Sequence, residues 1–195
     1  MNVTPTLCLA STSPRRREIL TELGVRFSVQ KVVVDETPLE SESPLDMVLR
    51  LAAVKAAAAE VGDDVCVLGS DTVVVLGDEI LGKPCDESDA IEMLGRLSGR
   101  RHSVVTGVAL QLAANTRYAH SLTEVQFREI GRDEARRYWQ SGEPADKAGA
   151  YAIQGIGGIF VESIHGSYSG VVGLPVFETA RLLQQAGIAI PGSEI

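Results

Sequence analysis

The sequence has few of the residues that define metal-cluster and disulfide-rich proteins. Three cysteines and three histidines occur in 195 residues, and aromatic side chains make up 5% of the chain. The cysteines have no metal-type spacing, and an odd number cannot close a framework of disulfides. Cys8 and Cys66 lie in apolar strand-like runs and are expected in the core, whereas Cys85 follows Pro84 and is expected to be exposed.

Positive charge is also scarce. Against 26 acidic residues stand 18 lysines and arginines, which gives a formal net charge of −8. Non-specific nucleic-acid binding depends on Lys and Arg contacts to phosphates, so this balance argues against a nucleic-acid partner, and any arginine cluster must act locally. The first residues, "MNVTPTLCLA", have no basic segment, and no apolar run approaches a membrane span. We therefore expect a cytoplasmic protein with no membrane partner.

The size and the apolar content favour one globular unit. Hydrophobic residues make up 45% of the chain, as in globular proteins. The length suffices for one buried core or for two lobes that share a cleft, but is short for two independent domains. We expect a single domain over residues 1–195, with loose ends at about 1–5 and 190–195.

The stretch "LASTSPRRREIL", residues 9–20, predicts a strand that runs into a helix. Ser13 is a suitable N-cap residue and Pro14 suits the first helical position. Gly24 is expected to end the helix. Arg15–Arg17 then fall in the first turn, where the helix dipole disfavours cations by roughly 0.3–1 kcal/mol. A bound phosphate would reverse that penalty, whereas the alternative is that the arginines are solvated. Because successive helical residues rotate by about 100°, Arg17 is expected to lie on the surface.

Acidic residues follow two predicted strands. "VRFSVQKVVVDE" reads as a strand that ends on Asp35 and Glu36, and "DVCVLGSDTVVVL" as a strand that breaks at Gly69-Ser70-Asp71. Carboxylates in such places can hold Mg²⁺ or Mn²⁺, which often bridge to substrate phosphates. The alternative is that they only form turns.

Two lysines accompany these acids. Lys55 lies on the helix predicted for "SPLDMVLRLAAVKAAAAEVG", which Ser43 caps and Gly62 ends, and Lys83 lies in "GKP". Taken by itself, each lysine is most simply interpreted as a charged side chain exposed to solvent. A polyphosphate with a divalent cation, however, needs cations for its oxygens and acids for the metal, and these residues supply both.

The remaining elements predict an α/β fold with a mixed, twisted sheet and flanking helices, because strands and helices interleave but hairpins also occur. Further helices are expected at about Ser88–Leu97, in "RDEARRYWQS" and in "VFETARLLQQAG", and strands in "RHSVVTGVALQLA" and "RYAHSLTEVQFREI". A tight turn is expected at Gly77-Asp78, and a hairpin in "IFVESIHGSYSGVVGLP" that turns at His165-Gly166.

The glycine-rich stretch "DKAGAYAIQGIGG" is a candidate ligand loop. Its small residues allow close backbone approach, and Gln154 offers a paired donor and acceptor that suit the imide edge of a base. The alternative is an ordinary connection. His102, His120 and His165 lack ligand spacing and receive no role.

Taken together, "LASTSPRRREIL", "VDETP", "LAAVKA", "GSDTVVVLGDEILGKP", "SGRRHSVVTGVAL", "DKAGAYAIQGIGG" and "GSYSGVVGLP" resemble the Maf family of nucleotide pyrophosphatases. The likeness runs in order from Leu7 to Leu183. It implies a Maf- or inosine-triphosphatase-like α/β chain with a deep nucleotide cleft between two lobes, often homodimeric. Such enzymes hydrolyse nucleoside triphosphates to the monophosphate and pyrophosphate with Mg²⁺ or Mn²⁺.

The resemblance also implies roles for individual residues. Asp71 would be the proton acceptor and, with Glu36, would bind the metal. The triphosphate would be bound by Ser11, Ser13, Arg15, Arg16, Lys55 and Lys83.

The branch of the family is suggested by the loop "DKAGAYAIQG", which is similar to the branch that acts on dTTP and UTP. Arg15, Thr72 and Gln154 match positions at which the branches differ in specificity, although Ala152 stands where the pyrimidine branch commonly has glycine. Three alternatives remain: a 7-methyl-GTP pyrophosphatase of the same family, a nucleotide-binding regulator of septum formation, and a phosphatase that releases orthophosphate. A house-cleaning role that removes non-standard nucleotides is compatible with the resemblance.

Overall fold

The computed structural model describes residues 5–192 and has the predicted mixed α/β fold. Residues 1–4 and 193–195, most of the ends expected to be loose, lie outside the described residues, while Ile190 is buried. In the described part, no helix has the length and apolar character needed to cross a bilayer. The strands are β1 Thr6–Leu9, β2 Phe27–Val29, β3 Val65–Leu76, β4 Glu79–Leu81, β5 Arg101–Leu112, β6 Asn115–Phe127 and β7 Val161–His165. The α-helices are α1 Pro14–Glu22, α2 Pro44–Ala57, α3 Glu87–Leu97, α4 Arg132–Gln140, α5 Tyr168–Val172 and α6 Val176–Gln185.

The sheet is mixed, as predicted. Its strands lie in the order β2-β1-β3-β5-β6-β7, and β4 pairs with β3 outside this order. β1 pairs in parallel with β2 and β3, so that Leu7 lies opposite both Phe27 and Cys66. β4 and β7 are antiparallel to β3 and β6. Cys8 and Cys66 are buried and Cys85 is exposed, as expected.

Two compact units make up the chain. The first contains the chain up to Asp71, Thr106–Ser121 and the chain from Gly173 onward, and the second contains Thr72–Val105 and Leu122–Val172. Three strands, β3, β5 and β6, therefore contribute residues to both. Each unit has its own fully buried side chains: Leu9, Leu20, Leu51, Leu68 and Leu183 in the first, and Leu94, Leu97, Phe127 and Phe160 in the second.

The prediction of a strand that ends at Asp35 and Glu36 is wrong beyond Val29, where β2 ends. β2 ends there because its partner β1 ends at Leu9, whose carbonyl accepts a hydrogen bond from the amide of Gln30 at 3.0 Å. Residues 30–39 have no regular secondary structure. The two acids therefore lie in an irregular segment rather than at a strand end.

The predicted break at Gly69-Ser70-Asp71 is also wrong, because β3 runs without interruption through these residues. A Cβ atom on Gly69 would lie 2.0 Å from the carbonyl oxygen of Ala52 on α2. Glycine at this position therefore permits close contact between α2 and the strand. It does not end the strand.

Helix α2 begins as predicted and ends early. The hydroxyl of Ser43 accepts the amide of Asp46 at 3.1 Å, which is an N-cap hydrogen bond. The last helical residue is Ala57 rather than a residue next to Gly62. Lys55 therefore lies in the last turn of α2.

Replacing Gly69 with alanine is expected to destabilise the protein by about 3 kcal/mol or more, because the new methyl group would overlap the backbone of α2. Gly95→Ala on α3 is the matched control. A Cβ on Gly95 has open space, and the higher helix propensity of alanine should stabilise the protein by up to about 1 kcal/mol. Urea unfolding of both variants measures the difference, and equal midpoints would contradict the close contact at Gly69.

The predicted hairpin at His165-Gly166 is wrong as well, because a helix follows β7. The hydroxyl of Ser167 accepts the amide of Gly170 at 3.0 Å and thereby caps α5. The amide of Ser167 donates to the hydroxyl of Thr123 on β6 at 2.9 Å. These bonds direct the chain into a helical turn instead of a returning strand.

The other predicted elements are confirmed within a few residues: the Gly77-Asp78 turn, α3, β5, β6, α4 and α6. The glycine-rich loop, residues 146–158, contains the short 3-10 helix Ala148–Ala150 and overlaps two others, Glu143–Asp146 and Ile156–Phe160.

Candidate functional site

The start of α1 carries its arginines in the first turn, as predicted. Ser13 occupies the N-cap, but its side chain makes no capping bond. Instead, its amide donates to the hydroxyl of Ser11 at 3.1 Å. Arg15 and Arg16 are half-buried, whereas Arg17 is exposed, as expected. The two half-buried arginines are thus the ones placed to serve a site.

Arg16 connects α1 to two other segments of the first unit. Its Nε donates to the carbonyl of Gly173 at 2.9 Å, and its Nη1 donates to the hydroxyl of Ser11 at 3.5 Å. The buried hydroxyl of Ser70 on β3 donates to the same carbonyl at 3.0 Å. Burial lowers the pKa of the Arg16 guanidinium, and the nearby carboxylates of Asp71 and Glu36 oppose this shift. A guanidinium remains charged at neutral pH, so the charge stays beside the carboxylates.

Lys55 lies between the two carboxylates that the sequence analysis assigned to a metal. Its Nζ is 2.6 Å from an oxygen of Glu36 and 2.6 Å from an oxygen of Asp71. Lys55 and Asp71 are buried, whereas the side chain of Glu36 is 51% exposed. The structure therefore brings these three residues together, although Glu36 lies in the irregular segment after β2.

The carboxylates of Glu36 and Asp71 suit a divalent cation by their donor chemistry, and each contacts the ammonium of Lys55 through one oxygen. Carboxylate oxygens are preferred ligands of Mg²⁺ and Mn²⁺. Within residues 5–192, no group of three or more His, Cys, Asp and Glu side chains could hold a metal ion. A bound cation would therefore take its remaining ligands from substrate phosphates or water.

The remaining predicted site residues lie in the second unit. Thr72 is half-buried on β3, Lys83 is exposed after β4, and Gln154 is exposed in the glycine-rich loop. The amide of Gly149 donates to the carbonyl of Gly82 at 2.9 Å, so the segment that carries Lys83 is tied to that loop. The predicted residues thus form two sets: Ser11, Ser13, Arg15, Arg16, Glu36, Lys55 and Asp71 in the first unit, and Thr72, Lys83 and Gln154 in the second.

Sequence reasoning missed two residues that hold the glycine-rich loop. The carboxylate of Glu143 accepts hydrogen bonds from the hydroxyl of Tyr138 and from the amides of Ile156 and Gly157. The hydroxyl of Tyr138 in turn accepts the amide of Ala152. The one signal available in the sequence was the position of Glu143 directly before "PADKAGAYAIQG".

His102, on β5, is a buried residue of the second unit. Its Nε2 lies 2.8 Å from the hydroxyl of Tyr151, and its ring meets the ring of Phe127 edge-on. No group among the described residues bonds its Nδ1. Burial lowers the pKa of His102 from 6.5 to about 4.

This shift predicts acid destabilisation. The unfolded chain takes up the proton near pH 6.5 and the folded protein only near pH 4, so stability is lost as the pH falls through this window. The loss should total about 3 kcal/mol. Between pH 7 and pH 4, the free energy of unfolding should fall less for His102→Phe than for the wild type. The exposed control His120→Asn should follow the wild type. Parallel curves for all three proteins would refute the prediction.

The fold and the charged cluster define an α/β protein whose arginines, lysine and carboxylates suit a phosphorylated ligand and a divalent cation. The family model described as "Maf-like protein" matches residues 6–186. The chain belongs to the Maf family.

Curated relatives match nearly the whole chain. A protein of Hahella chejuensis named dTTP/UTP pyrophosphatase is 53% identical over 94% of this chain and 94% of its own length. A protein of Pseudoalteromonas translucida with the same name is 51% identical over 93% of this chain and 97% of its own. Among solved structures, a HAM1 protein from Coxiella burnetii matches 63% of this chain and 73% of its own with a TM-score of 0.45 and 19% identity.

Proposed function

We propose that this chain hydrolyses dTTP and UTP to the monophosphate and pyrophosphate. The observation that carries the proposal is Lys55, held between the carboxylates of Glu36 and Asp71 at 2.6 Å from each. The name dTTP/UTP pyrophosphatase, borne by relatives that are 51–53% identical, supports the substrate class.

Asp71 is the proposed general base. A water oxygen attacks the α-phosphorus in line with the bond to the bridging oxygen, that bond breaks, and pyrophosphate leaves with its electron pair. The carboxylate of Asp71 accepts the proton of the water. When bound by Glu36 and Asp71, Mg²⁺ or Mn²⁺ would supply positive charge to the phosphate oxygens.

The cations of the chain bind the triphosphate in this proposal. Lys55 has three N–H donors, and the two carboxylates take two of them, which leaves one direction for a phosphate oxygen. Guanidinium forks and hydroxyls near a helix N-terminus suit the other phosphate oxygens. The proposed set is Ser11, Ser13, Arg15, Arg16, Lys55 and Lys83.

Base recognition is assigned to Arg15, Thr72 and Gln154. The amide of Gln154 can donate to a carbonyl of thymine or uracil and accept from the imide N–H. Ala152, which replaces the usual glycine, is 2% exposed, so its methyl group is accommodated inside the second unit. The cytoplasmic location, the homodimer and the house-cleaning role belong to the same proposal.

The test is phosphate release from dTTP, UTP, CTP, GTP and 7-methyl-GTP with Mg²⁺ or Mn²⁺, with and without added inorganic pyrophosphatase. We expect phosphate release from dTTP and UTP, and only when inorganic pyrophosphatase is added. A preference for 7-methyl-GTP would identify the other branch, and release without the added enzyme would identify a phosphatase. Nucleotide binding without release would favour the regulator of septum formation.

A further inference from the structure

A short turn in the second unit carries Gln154. The amide of Gly155 donates to the carbonyl of Ala152 at 3.2 Å, so that Gln154 lies within a closed turn. An exposed glutamine on such a turn can form selective hydrogen bonds with a base only if the backbone of the turn has a fixed position. The hydrogen bonds that flank the turn are therefore informative.

Glu143 fixes the C-terminal side of this turn. Its Oε2 accepts the amide of Ile156 at 2.9 Å, and its Oε1 accepts the amide of Gly157 at 2.9 Å. A Cβ atom on Gly155 would lie 2.1 Å from the Glu143 carboxylate. The glycine therefore leaves room for the carboxylate to lie against the backbone.

Tyr138, on α4, fixes the N-terminal side. Its hydroxyl accepts the amide of Ala152 at 3.1 Å and donates to Oε1 of Glu143 at 2.7 Å. A Cβ atom on Gly157 would lie 2.5 Å from this hydroxyl oxygen, so a second glycine accommodates the contact. One tyrosine and one carboxylate thus join both flanks of the turn.

The carboxylate stays ionised at neutral pH. Burial would raise the pKa of Glu143, but the amide of Gly157, the hydroxyl of Tyr138, the amide of Ile156 and the charge of Lys147 together lower it. An ionised carboxylate only accepts hydrogen bonds, which matches the three donors around it.

We infer that Glu143 and Tyr138 are positioning residues that fix the turn carrying Gln154 and thereby set the discrimination between bases. The inference rests on the proposed function, because it takes Gln154 to contact the base. Neither residue touches the substrate in this scheme, and each acts through the backbone of the turn.

The test compares Glu143→Ala, Glu143→Gln and Tyr138→Phe with Gln154→Ala as the reference and with Glu92→Gln, an exposed carboxylate on α3, as the control. The ratio of kcat/KM between the preferred and the other bases should fall about tenfold in Glu143→Ala and Tyr138→Phe, as in Gln154→Ala. The change should lie in KM, with kcat for the preferred base altered less than about threefold. Glu143→Gln should be intermediate, because its amide oxygen keeps two contacts while its NH₂ group faces the Ile156 amide.

Amide hydrogen exchange is the readout that does not depend on activity. The amides of Ala152, Ile156 and Gly157 should exchange faster in the two disruptive variants than in the wild type and in Glu92→Gln. Faster exchange with an unchanged base ranking would overturn the positioning role, and so would unchanged exchange. A wild-type enzyme without pyrimidine preference would overturn the proposed function instead, and the variants would then be judged on the ranking that the wild type does show. Tyr138→Phe is the milder change and keeps the test valid if Glu143→Ala fails to fold.

Discussion

Asp71→Asn is expected to lower kcat by at least about 10³-fold while nucleotide binding stays within about fivefold of the wild type. Asparagine has the shape of aspartate and keeps an oxygen for the ammonium of Lys55, which lies 2.6 Å away. It cannot accept the proton of the attacking water. Turnover is measured on dTTP with Mn²⁺, and binding is measured by calorimetry on a non-hydrolysable α,β-imido analogue.

Asp78→Asn is the control for this variant. Asp78 is an exposed residue of the turn between β3 and β4, and its replacement should change kcat by less than about twofold. Full residual activity of Asp71→Asn would remove Asp71 from the general-base role. A loss of binding as large as the loss of turnover would assign Asp71 to substrate binding instead.

Local signals in the sequence suffice where a structure depends on neighbouring residues. The start of α1 was predicted because the fixed φ of Pro14 acts locally, and the start of α2 because the cap at Ser43 acts over three residues. Gly24, with a φ of +68°, ends α1 as predicted because the left-handed conformation suits glycine.

Two of the sequence errors concern partners that are distant in the chain. β2 stops because β1 stops, and the pattern of residues 25–36 contains no information on the length of β1. Gly69 was interpreted as a break in the strand, but glycine is required at this position because the backbone of α2 at Ala52 lies too close for a Cβ atom. Strand and turn propensities cannot reveal a contact between residues so far apart in sequence.

The charged cluster shows the same limit. Taken singly, Glu36, Lys55 and Asp71 each had a plain alternative, and the needs of a polyphosphate with a divalent cation grouped them by chemistry but gave no distance between them. The structure joins them at 2.6 Å. The glycine-rich loop was recognisable by composition, but its supports at Tyr138 and Glu143 were not, because a single tyrosine and a single glutamate form no pattern.

Lys55→Met is expected to have the second-largest effect, on both stability and turnover. Methionine fills the space of the lysine stem but leaves the carboxylate of Asp71, 8% exposed, without its ammonium partner. An uncompensated buried charge costs about 3–5 kcal/mol when fully enclosed, so the slight exposure here predicts about 3 kcal/mol. Turnover of dTTP should fall by at least about 10²-fold, because one cation on the phosphates is removed.

The double variant Lys55→Met/Asp71→Asn separates the contribution of the ion pair to the free energy of unfolding from the contribution of side-chain packing. Once the charge of Asp71 is gone, removal of the lysine should cost about 1–3 kcal/mol less, and urea unfolding of the four proteins gives this coupling energy directly. Arg96→Met is the control, since its partner Glu79 is exposed and a surface pair contributes at most about 1 kcal/mol. If Lys55→Met cost no more than Arg96→Met, or if the two substitutions were additive, the stability assigned to the pairing of Lys55 with Asp71 would be wrong. Lys55 would then act on the phosphates alone.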